Sequence, residues 1–194
     1  MDPIAENYRK LFLEHGSGPA VGQWSEEGQR FRFEKLSEIA DLSGARVLDL
    51  GCGLGDFHPH LAKRFGAVDY TGIDIVPEIV EAARATHPQA RFFCRNVLET
   101  GFDETFDYVM ISGMFNNRRA EGTDFMKRML GFAFDHCNKG IGFNFTSSYV
   151  NFMDQTMQYH DPVEILQFCL DRLTRKVSLH HHYNRCDVAV FAYR

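Results

Sequence analysis

A glycine-rich turn and a downstream acid are the residues whose types and spacing could hold a nucleotide-like ligand. The apolar run VLDL at residues 47–50 leads into GCGLG at residues 51–55, and Asp74 ends the next apolar run. Glycines let a backbone turn tightly and approach a ligand, and a carboxylate about twenty residues beyond the turn can hold a ribose diol. The pair predicts a ligand site at the carboxyl end of the first strand of a doubly wound sheet.

The spacing within the turn narrows the class of ligand. The dinucleotide fingerprint G-x-G-x-x-G would place a third glycine at position 56, where this chain has Asp56. A fixed carboxylate there would compete with a pyrophosphate for the helix N-terminus. Asp49, two residues before the turn, would suit a cationic group such as an amino-acid ammonium. The turn therefore favours a cationic nucleoside over a dinucleotide.

Composition excludes several classes of protein. The 194 residues are 44% hydrophobic and 24% charged, as in an ordinary globular domain. The net charge of -5 argues against a non-specific nucleic-acid binder, so no DNA partner is expected. No apolar run approaches the roughly 18 to 20 residues that span a bilayer, and the N-terminus lacks the pattern of a signal peptide. Five scattered cysteines without a CxxC pair favour reduced thiols and hence the cytoplasm. Because no run could span a bilayer, no membrane partner is expected.

Strands and helices alternate along the chain from residue 45 onward. The predicted strands are 46–50, 68–74, 90–95, 106–112 and 141–145, followed by two terminal runs at 176–183 and 187–193. The predicted helices are 4–14 and 25–42 before the sheet, then one ending at 65, 77–85, 123–137 and 161–173. This order predicts an α/β fold with a mainly parallel, doubly wound, seven-stranded sheet that ends in an antiparallel hairpin turning at residues 184 and 185.

The motifs resemble those of the class I S-adenosylmethionine-dependent methyltransferases over about residues 46–193. DLGCGLG at 49–55 matches that family's first motif without a gap, and Asp74 matches the acid that ends its second strand. FCRNV at 93–97 is similar to its third motif, although Asn96 stands where Asp is commoner. The resemblance implies a Rossmann-like fold, S-adenosylmethionine as cofactor, and methyl transfer as the reaction.

The resemblance also implies which residues bind the cofactor. They are Arg32, Asp49, Gly51, Cys52, Gly53, Asp74, Ile75, Asn96, Val97 and Ser112. Residues 49–53 and Ser112 would lie at the methionine end, and Asp74 would take both ribose hydroxyls. The adenine would lie against Ile75, with residues 96 and 97 at its edge.

N-terminal helices cover the cofactor in small-molecule members of this family. The resemblance therefore implies a single domain, with residues 1–43 as a helical lid on a Rossmann-like core over 44–194. Arg32 falls on the inward edge of the second helix. It could pair with the carboxylate of the cofactor, or with an acid of the protein itself.

The acceptor is less well defined by the sequence. The acid-Pro-Pro-aromatic pattern of methyltransferases that act on amino groups of DNA bases is absent after the fourth strand, where the chain reads SGMFNNR. Five residues are candidates for binding an acceptor: Tyr8, Trp24, Asn116, Asn117 and Arg118. Residues 116–118 could equally form a polar loop that leads to the next helix.

The expected reaction requires few catalytic residues, because methyl transfer from a sulfonium needs mainly proximity and alignment. A general base is required only if the nucleophile arrives protonated. Tyr149 and His160, in and just after the long aromatic segment 146–159, are the titratable candidates. The histidines at 180–182 are more simply part of a solvated hairpin than metal ligands, so no metal is expected.

Three functions remain open from the sequence. The first is a methyltransferase that acts on oxygen or nitrogen of a small molecule, as a monomer or homodimer. The second is a methyltransferase that acts on protein or RNA. The third is a protein that binds S-adenosylmethionine without transferring its methyl group.

Overall fold

Seven strands form one sheet in a computed structural model that describes residues 3–16, 18, 21, 25–183 and 186–194. The order across the sheet is β3-β2-β1-β4-β5-β7-β6. The strands are β1 (Arg46–Leu50), β2 (Asp69–Asp74), β3 (Arg91–Cys94), β4 (Phe106–Ile111), β5 (Cys137–Thr146), β6 (Val177–His180) and β7 (Asp187–Tyr193). The first five are parallel, and β7 runs antiparallel to both β5 and β6. The predicted mainly parallel sheet with an antiparallel end is confirmed.

Helices cover both faces of the sheet. They are α1 (Pro3–His15), α2 (Glu26–Leu36), α3 (Phe57–Phe65), α4 (Pro77–Thr86), α5 (Val97–Thr100), α6 (Thr123–Asp135) and α7 (Pro162–Phe168). A 3-10 turn at Met114–Asn116 follows β4, and a π-helical turn at Cys169–Leu173 continues α7. Within the described ranges, none of these helices is long and apolar enough to cross a membrane.

Alternation along β1 assigns its side chains to two separate cores. Leu48 and Leu50 pack in the core that includes residues of α6 and α7, whereas Val47 packs in the core that includes residues of α2, α3 and α4. Because side chains alternate along a strand, Asp49 shares the second face with Val47. The sequence thus places one carboxylate within an otherwise apolar face, directly before the glycine turn.

Two helix starts follow the local chemistry expected from the sequence. The hydroxyl of Ser25 accepts a hydrogen bond from the Gly28 amide at 3.1 Å, and the carboxylate of Asp161 accepts one from the Val163 amide at 2.8 Å. Pro162 occupies the first turn of α7, where its missing N–H costs no helical hydrogen bond. These predicted N-caps are confirmed.

Three predicted boundaries were wrong. Helix α2 ends at Leu36 rather than near residue 42, because Ser37 caps it and its hydroxyl donates to the Phe33 carbonyl at 2.6 Å. Helix α6 ends at Asp135, and β5 begins at Cys137 because the chain there pairs with Phe106 of β4. Strand β6 ends at residue 180, and the predicted turn at residues 184 and 185 lies outside the described residues.

Candidate functional site

The turn after β1 is held in a conformation that only glycine adopts readily. Gly51, Gly53 and Gly55 have φ values of +73°, +53° and +80°. A Cβ at Gly51 would lie 2.7 Å from the Met114 methyl, and one at Gly55 would lie 2.8 Å from the Phe92 ring. A Cβ at Gly53 would meet nothing within 4 Å. Two glycines therefore permit close packing of the turn, and the third presents bare backbone to open space.

Asp74 ties the end of β2 to this turn. Its Oδ2 accepts a hydrogen bond from the Gly53 amide at 3.0 Å, and its Oδ1 accepts from the Ile75 and Val76 amides at 2.7 and 3.1 Å. Burial raises the pKa of this carboxyl, and the three amides oppose that rise. Oδ1 thus uses both of its lone pairs on backbone amides, and Oδ2 keeps one for a ligand hydroxyl. The predicted acid thus lies beside the turn with acceptor capacity remaining.

Asp49 is the second acid of the site and is almost wholly buried. The hydroxyl of Tyr70 donates to its Oδ2 at 2.6 Å, while its Oδ1 has no hydrogen-bond partner among the described residues. Burial raises the pKa of Asp49 to about 7; the Tyr70 hydrogen bond opposes this rise, and the charge of Asp74 adds to it. A buried acceptor without a partner is costly unless a ligand supplies the donor.

Two cavities meet at Gly51 and Asp74, which line both of them. The first cavity lies between α1, α2 and the glycine turn, and the second lies between β2, β3 and α6. Their empty volumes, including solvent at the mouths, are about 740 and 580 Å³. The first is lined by residues that include Tyr8, Gln29, Arg32, Asp49, Cys52 and Ser112; the second by residues that include Ile75, Asn96, Val97, Arg119, Phe125 and Met129. An elongated ligand can therefore lie across Asp74 with one end in each cavity.

The charges around the first cavity favour a cationic ligand. Its charged lining residues, among those described, are Asp49, Asp56, Asp74 and Arg32. Three carboxylates against one guanidinium produce a negative potential that attracts a sulfonium or ammonium group. The second cavity has apolar walls with the amide of Asn96 at its edge, which suits a purine ring. The residues present thus fit the two ends of S-adenosylmethionine.

Asn96 has a structural contact as well as a place in the second cavity. Its Oδ1 accepts a hydrogen bond from the Leu98 amide at 3.2 Å and so caps α5. Ile75 and Val97 line the same cavity. The three residues predicted at the adenine are therefore brought together.

Arg32 lines the first cavity, but it pairs with an acid of the protein. Its Nη2 lies 2.9 Å from Asp187 Oδ2, and both side chains are buried. Helix α2 is thereby anchored to β7. Of the two roles open to Arg32, the ion pair within the protein is present, and a contact with the cofactor carboxylate stays a prediction.

Cys52 and Ser112 also line the first cavity. Burial raises the pKa of the Cys52 thiol well above its usual range, so the sulfur stays protonated. A Cβ on Gly72 would come within 2.7 Å of that sulfur, which shows how closely the turn packs on β2. Cys52 is therefore a packing residue at the cavity wall and not a nucleophile.

The candidate acceptor residues are only partly brought together. Tyr8 lines the first cavity, and its hydroxyl accepts a hydrogen bond from Asn117 Nδ2 at 2.6 Å. Asn116 is buried and its Oδ1 accepts from the Thr146 amide at 3.1 Å, whereas Arg118 is exposed and donates to the Gln155 carbonyl at 2.9 Å. Trp24 lies outside the described residues. Residues 116–118 thus join the segments after β4 and β5.

Neither predicted titratable residue is among the described residues that line the two cavities. His160 is buried, with Nε2 at 3.1 Å from the Phe115 carbonyl and Nδ1 at 3.3 Å from the Thr123 hydroxyl. Both ring nitrogens are therefore engaged within the protein. Tyr149 is 64% exposed and borders a separate cavity beyond β5. Across the described ranges, no cluster of three His, Cys, Asp or Glu side chains could hold a metal ion.

Sequence reasoning missed one wall of the second cavity. Met114, Arg119, Phe125 and Met129 line it, and the Arg119 guanidinium lies 4.0 Å from the centroid of the Phe125 ring. Phe125 and Met129 have the four-residue spacing of an apolar helix face, which is equally typical of core residues. Only the position of Met114, directly after the fourth strand, could have indicated its place in the site.

Comparisons with known proteins agree with this geometry. A family model described as a methyltransferase domain matches residues 47–133. A putative methyltransferase of Mycobacterium tuberculosis is 33% identical over 150 residues, covering 74% of this chain and 90% of that protein. A ubiquinone biosynthesis O-methyltransferase of Xylella fastidiosa is 36% identical over 91 residues, covering 43% of this chain and 36% of that protein.

A solved structure shows the same fold. Magnesium protoporphyrin IX methyltransferase of Synechocystis with bound SAH superposes with a TM-score of 0.70 at 15% identity, covering 100% of this chain and 95% of that one. The match extends over both the sheet and the N-terminal helices. The 33% identical relative, the family model and the acids Asp49 and Asp74 at the cavities all agree with this fold. The chain belongs to the class I S-adenosylmethionine-dependent methyltransferases and uses S-adenosylmethionine as its cofactor.

Proposed function

We propose that this methyltransferase acts on an oxygen or nitrogen atom of a small molecule. The observation that carries the proposal is the cover over the first cavity, where Tyr8 of α1 and Arg32 of α2 form walls opposite the glycine turn. The methyl group of a cofactor bound under this cover is reached more readily by a small molecule than by a segment of protein or RNA. The net charge of -5 also disfavours an RNA substrate.

We infer that the chain is one domain in which α1 and α2 act as a lid. Polar contacts join the lid to the core at three places. Arg9 of α1 pairs with Glu78 of α4, Gln29 Nε2 donates to Asp56 Oδ2 at 3.2 Å, and Arg32 pairs with Asp187 as described above. Such a cover excludes water from the methionine end of the cofactor.

The proposed roles of the cofactor residues follow the two cavities. Asp74 accepts a hydrogen bond from the ribose diol at the junction, through the free lone pair of Oδ2. Asp49 Oδ1, which has no partner among the described residues, accepts from the ammonium in the first cavity. Ile75 and Val97 pack on the adenine in the second cavity, and Asn96 meets its edge.

A third cavity beyond β5 is the proposed acceptor site. Its described lining residues are Thr146, Tyr149, Val150, Asn151, Phe152, Met157, Tyr159 and Cys186. Thr146 is buried, and its hydroxyl has no hydrogen-bond partner among the described residues. Aromatic side chains among polar groups such as Asn151 and the Thr146 hydroxyl suit an aromatic acceptor that carries a hydroxyl or amine.

Asn117 connects this third cavity to the first. Its side chain donates to Tyr8, which lines the first cavity, and its backbone forms a β-bridge with Met157, which lines the third. We propose that residues 116 and 117 set the distance between acceptor and methyl donor. Such positioning is the main contribution that a protein makes to this reaction.

Bound S-adenosylmethionine supplies an activated methyl group, so the protein has to bind, orient and exclude water. The Tyr8 hydroxyl already accepts a hydrogen bond from Asn117 and retains its own proton, because burial raises its pKa. It can therefore donate that proton to a hydrogen bond with the acceptor. We assign it an orienting role and no role as a general base.

Labelled methyl transfer tests the proposed function. The protein is incubated with methyl-labelled S-adenosylmethionine and with separate metabolite, protein and RNA fractions, and an Asp74→Ala variant serves as the control. We expect label in one or a few small molecules, absent with the variant. Label confined to protein or RNA would overturn the small-molecule proposal. Tight binding of the cofactor with no label in any fraction would indicate a binding protein instead.

A further inference from the structure

Tyr70 lies next to the site but is not among the described residues that line its cavities. It projects from β2 on the same face as Asp49 on β1, since Asp49 is in register with Gly72, two residues along. Both side chains are 2% exposed, and the Tyr70 hydroxyl donates to Asp49 Oδ2 at 2.6 Å. We propose that Tyr70 is a positioning residue that holds Asp49 oriented and charged for the ammonium of the cofactor. The inference rests on the proposed role of Asp49.

One hydrogen bond distinguishes the two oxygens of Asp49. Oδ2 is bound to Tyr70, so Oδ1 is the oxygen without a partner among the described residues, and Asp49 lines the first cavity. Without the Tyr70 hydroxyl, the two oxygens would be equivalent and the carboxylate could rotate. A support of this kind fixes the geometry of a binding group from behind.

The Tyr70 ring is itself held on two sides. It lies edge-on to His58 of α3, with centroids 5.2 Å apart, and 5.9 Å from the Phe92 ring of β3. His87, after α4, lies 5.6 Å from His58 and completes the cluster. The hydroxyl therefore has a fixed position relative to β1.

The charges that face Asp49 make this hydrogen bond important near neutral pH. Asp74, at the end of β2, and Asp56, before α3, oppose its ionisation, while Arg32 of α2 lines the same cavity. Burial keeps the pKa of the Cys52 thiol high, and burial followed by the charge of His87 lowers the pKa of His58, so both are neutral. The hydrogen bond from Tyr70 lowers the pKa of Asp49 and so favours its charged form. Burial raises the pKa of Tyr70 well above its usual range, so its hydroxyl stays a donor.

The loss of this donor would favour the protonated form of Asp49. A hydrogen bond to a charged group is worth roughly tenfold in the proton affinity of the carboxyl. Because Asp49 has a pKa of about 7, such a change would remove most of its charge at pH 7 and much less at pH 8. The effect on ligand affinity should therefore depend on pH.

Calorimetric titration with two ligands tests this role. S-adenosylmethionine carries the ammonium, and 5′-methylthioadenosine lacks the whole amino-acid end. The proteins are wild type, Tyr70→Phe, Asp49→Asn and the double variant, with Tyr108→Phe as a control because Tyr108 is also buried on this face of the sheet. At a given pH the amine of the free ligand has the same charge with every protein. The ratio of a variant's Kd to the wild-type Kd therefore reflects only the change in the protein.

We expect Tyr70→Phe to weaken S-adenosylmethionine about fivefold at pH 7 and less than about twofold at pH 8, from a tenfold change in proton affinity. The Kd for 5′-methylthioadenosine and both Kd values of Tyr108→Phe should stay within twofold of wild type. In the Asp49→Asn background, Tyr70→Phe should add nothing.

The possible failures are distinguishable. Equal weakening of both ligands, or a ratio that does not change with pH, would show that Tyr70 only maintains the fold. If Asp49→Asn weakens the binding of S-adenosylmethionine and Tyr70→Phe does not, the proposed role of Tyr70 is wrong and that of Asp49 stands. No effect of Asp49→Asn would overturn both the role of Asp49 and the inference. If Tyr70→Phe does not fold, the test uses wild type alone. The ratio of its two Kd values should favour S-adenosylmethionine over 5′-methylthioadenosine more strongly at pH 7.5 than at pH 6. A ratio that does not rise over this range contradicts the account.

Discussion

The glycine turn at residues 51–55 and the segment at residues 147–160 lie at the same edge of the sheet but are held very differently. The turn is fixed by hydrogen bonds from Gly51 and Cys52 to the Ile73 carbonyl, by Asp74, and by glycines that permit close packing. The segment after β5 exposes Phe152 and much of Tyr149 to solvent. The proposed binding site for the methyl donor is preformed, and the proposed acceptor side is open.

This difference indicates where the two kinds of specificity lie. Binding to a preformed site costs little conformational entropy, and such a site can be predicted from a few backbone constraints. An open segment leaves its side chains free to adapt to a ligand, and mutations there should alter the acceptor without changing the cofactor site.

The largest expected effect is on stability and concerns Asp49→Asn. Its carboxyl has a raised pKa in the folded protein, about 7 against an ordinary 3.8, so folding is penalised once the unfolded carboxyl ionises. The penalty grows as pH rises from about 4 to about 7 and is constant above that. The variant without ligand should be more stable than wild type by up to about 4 kcal/mol at pH 8 and by less than about 2 at pH 5.

Urea unfolding at the two pH values measures this difference. The same variant should bind S-adenosylmethionine more weakly, so stability and binding change in opposite directions. A variant that is no more stable than wild type at pH 8 would show that the preformed site carries no such cost.

Gly51→Ala should have the next largest effect, on cofactor binding. A left-handed φ of +73° costs about 1 to 2 kcal/mol, and the Met114 methyl, at the end of a flexible side chain, has to shift from a Cβ that would lie 2.7 Å away, so Kd for S-adenosylmethionine should rise roughly tenfold. Gly44→Ala is the matched control, because Gly44 has a φ of +67° with nothing within 4 Å of its Cβ. Equal losses of affinity in both variants would argue against a tightly built turn.

Phe152→Ala should have the smallest effect and should separate the two regions. Phe152 is 80% exposed, so the free energy of unfolding should change by less than about 0.5 kcal/mol. The Kd for S-adenosylmethionine should be unchanged, while KM for the labelled acceptor rises several-fold. Leu170→Ala, at another exposed apolar residue, serves as the control in the same initial-rate assay. A changed Kd for the cofactor would break the separation between the two regions.

The same contrast explains what the sequence could predict. The turn and Asp74 were predictable because backbone conformation and strand ends are local properties, written in adjacent residues. The sheet followed from the alternation of apolar runs, although the ends of α2 and β5 depend on contacts that are not local. The partner of Arg32 could not be predicted, because Asp187 lies far along the chain and meets it only in the folded state.

The second cavity shows a further limit. Phe125 and Met129 of α6 line it, yet on a helical pattern they look the same as the core residues around them. The acceptor candidates at residues 116–118 were assigned from their polarity and their place after the fourth strand, and the structure uses Asn116 and Arg118 to join backbone segments. Side chains that bind a ligand which differs between proteins have no fixed spacing in the sequence, so no motif predicts them.

The most direct test of the central claim, that one ligand lies across both cavities at Asp74, is calorimetric titration of wild type and Asp74→Ala with S-adenosylmethionine. We predict one site per chain in wild type. In the variant the affinity should be weaker by about 1.5 to 3 kcal/mol, the scale of hydrogen bonds to a charged group, which is roughly ten- to over a hundredfold in Kd. A folded Asp74→Ala variant whose Kd lies within twofold of wild type would contradict the account.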